Sequence, residues 1–254
     1  MTERYLSPCG AIDLRLGRWQ DVLADVTTCD AVICDPPYSA RTHEGMRLGP
    51  ALTGSGNPYE RTGVIYETWT PDHVGAFCSS WSPRASGWIV AMTSHDLCRF
   101  FEDAMTDRYV FPPLPFVEVG KQPRLSGDGP ASWTCWIMVA RHRNAAAKSL
   151  GSLPGAYVPP AGCGWNDRLI KGGKPLGLMR AIVRDYTRPG DLVVDPFAGG
   201  GTTALACAIE GRRCITSEMD PVTFEKARAR LSKGYTRDAF ADSPKTKAKQ
   251  GGLL

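Results

Sequence analysis

Between Asp191 and Gly211 the chain reads as a short apolar strand, a turn with three consecutive glycines, and a helix. The strand is Asp191–Val194, and the turn is Asp195-Pro196-Phe197-Ala198-Gly199-Gly200-Gly201. The helix opens at Thr202-Thr203 and runs through about Glu210, where Gly211 stops it. Nothing else in the chain narrows the choice of fold as much. Glycines in a row supply torsion angles and a closeness of backbone approach that side chains forbid. A helix that begins directly after such a turn presents unpaired N–H groups to a ligand. Asp195, at the end of the strand, points toward the same crevice. The next strand, Cys214–Ser217, ends in Glu218, where a carboxylate can accept both hydroxyls of a ribose. The same residues could also make a plain tight turn followed by a helix-capping acid. The spacing is not G-x-G-x-x-G, which counts against a dinucleotide.

The rest of the chain fits around this unit. AIDLRL alternates as a strand does, RWQDVLAD has helical spacing, and DAVIC is a compact apolar run ending at Cys34. Thr70-Pro71 starts a helix whose Val74, Phe77, Cys78 and Trp81 share one face. Gly87–Met92 reads as a strand and about Asp96–Met105 as a helix. Runs around Phe116–Val119 and Trp133–Ala140 suit an antiparallel pair joined by the turn-rich link Lys121–Ser132. Pro175–Tyr186 is a helix with Leu178, Met179, Ile182, Val183 and Tyr186 near one face. Asp220-Pro221 caps another that runs to about Leu231. Strands alternating with helices predict an α/β fold: a doubly wound, mostly parallel, seven-stranded Rossmann-like sheet with an antiparallel strand pair at one edge.

Residues 1–234 are expected to form one domain, and 235–254 a basic, flexible tail. Residues 39–66 form a long glycine-rich loop carrying Arg41, Arg47 and Arg61, and 144–170 are irregular. Net charge is +4, but Lys245, Lys247 and Lys249 supply three of those charges, so global electrostatics permit nucleic-acid binding without demanding it. The nine cysteines are scattered without a Cys-x-x-Cys pair, and the four histidines are dispersed. This argues against a metal site and for a reducing compartment. No apolar run is long enough for a membrane span, and the first residues do not read as a secretory signal. A cytoplasmic protein is expected.

The apolar run ending at Cys34 stops at Asp35-Pro36-Pro37-Tyr38, because two prolines cannot continue a ladder and force an extended turn. As a strand-ending turn, with Tyr38 packing on its neighbours, the tetrapeptide would carry no chemistry. Its place at the end of a buried strand in an α/β chain suggests more. An amino group on an aromatic ring is a poor nucleophile, and its methylation needs acceptors on both N–H bonds. The Asp35 carboxylate and the rigidly held Pro36 carbonyl can supply them, and Tyr38 offers a face for an extruded base.

Asp-Pro-Pro-Tyr first and Asp-Pro-Phe-x-Gly-x-Gly-Thr-Thr last is an order that resembles the amino-group DNA methyltransferases, in the permuted arrangement called the beta class. The resemblance spans roughly residues 10–232. It implies S-adenosylmethionine (AdoMet) as cofactor and transfer of its methyl group to N6 of an adenine flipped out of duplex DNA. The catalytic residues would be Asp35, Pro36, Pro37 and Tyr38. Asp195, Phe197, Gly199, Gly201 and Thr202 would line AdoMet, with Glu218 on the ribose, Met219 on the adenine ring and Lys174-Pro175 bordering the methionine end. Phe224 stands where the family often has Tyr. Two departures lie near the cofactor: Ile170-Lys171-Gly172-Gly173 replaces His-Pro-Thr, and Gly17-Arg18 replaces Gly-Asp, leaving Asp21 or Trp19 to substitute. Only 144–170 is available as a target-recognition region, so readout would fall partly to loop 39–66 and to the link Lys121–Ser132, with Arg41, Arg47, Arg61, Lys121 and Arg124 as candidate DNA contacts. The resemblance further implies a bacterial or phage-encoded enzyme of the restriction-modification kind, compatible with a homodimer and needing no metal. Methylation of N4 of cytosine, methylation of adenine in RNA, and a non-catalytic AdoMet- or nucleic-acid-binding module are the competing readings.

Overall fold

In the computed structural model, residues 3–42, 67–117, 134–143, 152–158 and 173–235 are described. In chain order the strands are β1 (Arg4–Leu6), β2 (Ile12–Leu16), β3 (Cys29–Cys34), β4 (Ala85–Thr93), β5 (Arg108–Val110), β6 (Leu114–Val117), β7 (Thr134–His142), β8 (Leu192–Asp195) and β9 (Arg213–Glu218). The helices are α1 (Trp19–Val22), α2 (Pro71–Trp81), α3 (Cys98–Ala104), α4 (Leu176–Tyr186), α5 (Thr202–Ile209) and α6 (Pro221–Ser232).

Ala31, Val32, Ile33 and Cys34 of β3 are all fully buried, so both faces of this strand are covered, as in a parallel sheet wrapped by helices. The alternation along each strand shows what covers it. Ile33, Val90, Met92 and Val193 pack with α4, α5 and α6. Val32, Cys34, Ile89, Ala91 and Val194 pack with α2 and α3. Each large aliphatic side chain sequestered in this way contributes roughly 1.5–3 kcal/mol.

One sheet runs in the order β1-β2-β9-β8-β3-β4-β7-β5, with β6 also on β7. Strands β2, β9, β8, β3 and β4 run parallel to one another, β1 is antiparallel to β2, and β7 is antiparallel to β4, β5 and β6. The expected class is thus observed, with nine strands among the described residues in place of seven. The two additions, β1 and β5, are three-residue edge strands too short to show a period. The expected antiparallel pair is β6 with β7, its register set by Phe116 opposite Cys135.

Helix α1 is a single turn, shorter than the spacing of RWQDVLAD suggests. Its end is fixed by Arg15, which reaches from β2 to the Val22 carbonyl (2.7 Å) and to Asp25 (2.5 Å). Helix α2 starts as read: Pro71 is its first residue, and Thr70 and His73 form a reciprocal cap.

The chain leaves β3 for β4 on one side and β8 for β9 on the other. The sheet therefore reverses its winding between β3 and β8, and the carboxyl ends of these two strands border a crevice.

Candidate active site

Strands β3 and β8 are neighbours, with Ala31 beside Val193 and Val32 beside Val194. Continuing this register brings Asp35 and Asp195, far apart in sequence, to the same end of the sheet. Asp35 leaves β3 as the first residue of the turn. Its Oδ2 accepts a hydrogen bond from Lys174 Nζ at 2.6 Å, and the two side chains are 25% and 10% exposed. Its Oδ1 is enclosed and has no hydrogen-bond partner among the described residues. A buried acceptor of this kind is costly unless something else supplies the donor.

The Lys174 ammonium also lies 5.1 Å from the centroid of the Tyr38 ring. The Tyr38 hydroxyl is bonded to the Cys135 thiol on β7, and burial, aided by the nearby Asp35 charge, pushes its pKa well above the ordinary 10.0. Tyr38 thus stays a neutral ring. Its carbonyl takes the Trp69 N–H (3.0 Å). The turn's exit is tied by Ser39 Oγ to Asp96 (2.9 Å) and by Ser94. Burial would raise Asp96, but the hydrogen bonds from Ser39 and Ser94 outweigh it and hold the carboxyl below 3.8. The serines and Cys135 carried no sequence signal, since their role depends on non-local contacts.

Asp195 is 1% exposed. Its Oδ1 accepts the Phe197 N–H (3.0 Å), and its carbonyl accepts the Thr216 hydroxyl (2.6 Å). Burial, with the charges of Asp35 and Glu218 adding to it, pushes its pKa up to about 7 against the pull of Thr203 and the Phe197 N–H. Glu218, at the end of β9, accepts the Gly199 N–H on Oε2 and the Asp220 N–H on Oε1, both at 2.9 Å. Burial raises its pKa as well. Met219 and Val222 beside it are 55% and 61% exposed. Gly201 has φ +73, the left-handed region that favours glycine. The Thr202 hydroxyl accepts from Arg230 Nη1 at 2.8 Å.

Phe197 is half-buried and belongs to an aromatic cluster with Trp19, Trp69 and Phe77. Trp19 is therefore part of the packing beneath the turn, and Asp21 is exposed. Phe224 is fully buried in the core. Pro175 caps α4, and Lys174, expected to border the methionine end of the cofactor, pairs with Asp35.

Arg41 is exposed, and its charge acts on Asp96. Arg47, Arg61, Lys121 and Arg124 lie outside the described residues, as does most of 39–66. Of the stretch 144–170, read from sequence as irregular, only 152–158 is described. There Tyr157 is buried, pairs with Phe116 and bonds Asp185 (2.9 Å). Among the described residues no group of three or more His, Cys, Asp or Glu could hold a metal ion, and no helix is long and apolar enough to cross a membrane.

Residues 134–229 match the family of N6/N4 methyltransferases described as DNA methylase, a stretch that includes Lys174, Asp195 and Glu218 but not Asp35. Type II methyltransferase M.XycI of Xanthomonas campestris pv. cyanopsidis is 40% identical over 57 residues, 22% of this chain and 19% of that protein. DNA adenine methyltransferase YhdJ of Escherichia coli is 33% identical over 76 residues, 29% of this chain and 26% of that protein. The matches thus span well under half the length of these curated relatives. The fold is that of the solved M1.HpyAVI–SAM complex (TM-score 0.59, 21% identity, 87% of this chain and 99% of that one). It is also that of the cytosine-N4-specific PvuII DNA methyltransferase (TM-score 0.54, 14% identity, 91% of this chain and 95% of that one). Over residues 134–229 the chain is thus similar to the N6/N4 DNA methylases, and its fold is one that solved DNA methyltransferases share.

Proposed function

We propose that this chain is an AdoMet-dependent DNA methyltransferase that modifies an exocyclic amino group, N6 of adenine, on a base flipped out of duplex DNA. The observation that carries the reading is the meeting of Asp35 and Asp195 at the carboxyl ends of the adjacent strands β3 and β8.

The donor set suits AdoMet. Asp35, Asp195 and Glu218 put three carboxylates around the crevice; burial raises the last two, and the charges of Asp35 and Glu218 raise Asp195 further. A ligand with a sulfonium and an ammonium would relieve that repulsion. Glu218 keeps lone pairs for ribose hydroxyls, and Met219 offers an exposed apolar surface for the adenine ring. Asp195, Gly199, Gly201, Lys174 and Pro175 complete the proposed cofactor surroundings, with Phe197 and Thr202 supporting the turn from behind. When bound, AdoMet supplies an electrophilic methyl group.

The chain's own residues prepare the acceptor nitrogen. Asp35 Oδ1, enclosed and without a partner among the described residues, and the Pro36 carbonyl draw on the two N–H bonds as the nitrogen becomes tetrahedral. Pro37 stiffens the turn, and neutral Tyr38 offers its ring for stacking. Arg41, together with Arg47, Arg61, Lys121 and Arg124, would bind phosphates or base edges. Residues 1–234 would form the methyltransferase domain, and 235–254 a basic tail that adds a nonspecific tether.

The same acceptor pair serves N4 of cytosine, and the likeness to the PvuII enzyme favours keeping that reading. The test is sequencing with modification detection of DNA from cells expressing the protein, which reports base and motif together. N6-methyladenine at one motif is expected; modified cytosine would replace the adenine assignment, and unmodified DNA would overturn the proposal. Asp35→Ala is expected to abolish methyl transfer while AdoMet still binds in titration calorimetry. Substantial residual transfer would remove Asp35 from its role.

A further inference from the structure

Three consecutive glycines carry no side chain that could hold a turn in place, so the order of Gly199–Gly201 must come from elsewhere. It comes from the β9–α6 unit. Glu218 at the end of β9 takes the Gly199 N–H at 2.9 Å. Arg230, in the last turn of α6, donates from Nη1 to the Gly200 carbonyl at 3.1 Å and to the Thr202 hydroxyl at 2.8 Å. Between these contacts Leu231 and Ala227 close on Gly201, where a Cβ would stand 3.2 Å from Leu231 Cδ1 and 3.5 Å from Ala227 Cβ. Four successive positions are therefore tied to one strand–helix unit. The other arginine in this part of α6 points away: Arg228 is 46% exposed and pairs with Glu225 and Glu3.

We propose that Arg230 is a positioning residue for AdoMet binding, acting through the glycine turn rather than by touching the cofactor. Tying the Gly200 carbonyl back to α6 selects one of the many conformations three glycines allow. Binding then does not have to supply that ordering. Thr202 acts in this scheme as the anchor Arg230 grips. The inference rests on the reading of the glycine turn as the AdoMet turn.

The test is titration calorimetry of the purified full chain with AdoMet, well below each protein's thermal midpoint. Arg230→Ala is expected to weaken binding by about tenfold, the order for losing one charge-assisted hydrogen bond. Arg230→Lys, which can still reach one acceptor, should recover part of that loss. Arg228→Ala, the same charge removed from the exposed face, should leave affinity unchanged. Should Arg230→Ala fail to fold, Thr202→Val removes only the hydroxyl acceptor and is expected to weaken binding by about threefold. Unchanged affinity in Arg230→Ala, or in Thr202→Val where it decides, overturns the role of Arg230 and leaves the cofactor reading standing. Absence of AdoMet binding by the native chain overturns both.

Discussion

The two oxygens of Asp35 are in different situations: Oδ2 faces the Lys174 ammonium, while Oδ1 is enclosed without a donor among the described residues. A carboxylate held by one oxygen has its other lone pairs fixed in direction, which is the preorganisation that an incoming amino group needs. Lys174→Met keeps the length of the side chain and removes the charge and its donors. Single-turnover methyl transfer is expected to fall by about ten- to a hundredfold, as for a reacting group no longer held in place. An undiminished rate would show that the ion pair does not orient Asp35. Asp35, Tyr38, Asp195 and Glu218 could all be picked out in the sequence, because each stands where an apolar run gives way to a turn. The partners of Asp35 and Tyr38 could not. Lys174 and Cys135 reach them from distant parts of the chain, and no local period encodes such a meeting.

At the scale of elements, helix α5 and the glycine turn before it stand or fall together. Gly201 caps α5 with φ +73 and lies against Leu231. Gly201→Ala would force a Cβ into both a disfavoured torsion and a tight contact. A loss of about 1–3 kcal/mol in urea-unfolding stability is expected, with weaker AdoMet binding beside it. A fully stable Gly201→Ala protein would mean the turn can relax. This turn was legible because glycine runs are rare and their conformational meaning is local. Edge strand β5 was not. It is held by fully buried Arg108, whose guanidinium donates to Ser82 Oγ and the Gly87 carbonyl at 2.8 Å each and also to the Ala85 carbonyl. An arginine read from sequence suggests solvent, and only tertiary contacts turn it inward. The single-turn α1 was overestimated for a related reason: Arg15 ends it from a strand outside the helix.

For the whole molecule, the carboxylates gathered at one end of the sheet link stability to pH. Asp195 has its pKa raised from 3.8 to about 7, so the folded chain holds this proton more tightly than the unfolded one. Its contribution is fully present below 3.8 and is lost as pH rises through about 7. Glu218, also raised, acts in the same sense. A cationic ligand favours the ionised form, so the stabilisation by AdoMet should grow across that window. Thermal midpoints measured against pH, with and without AdoMet, are expected to converge toward acid and separate toward neutral pH. Asp195→Asn should flatten both trends relative to the native chain; identical pH profiles for the two proteins would rule out Asp195 as their source.

The sequence alone was enough for the α/β class, for most strands and helices and for the turn at Asp195, and it is the source of the acceptor chemistry proposed for Asp35. Those depend on periodicity, proline and glycine, whose effects act over a few residues. The tertiary structure decided that β3 and β8 lie side by side, and hence that the two motifs share one crevice. It also decided that Lys174 meets Asp35 and that Arg230 holds the glycine turn. Strand order and long-range pairs follow from which apolar faces bury against which helices, and that choice is made by the packed chain as a whole.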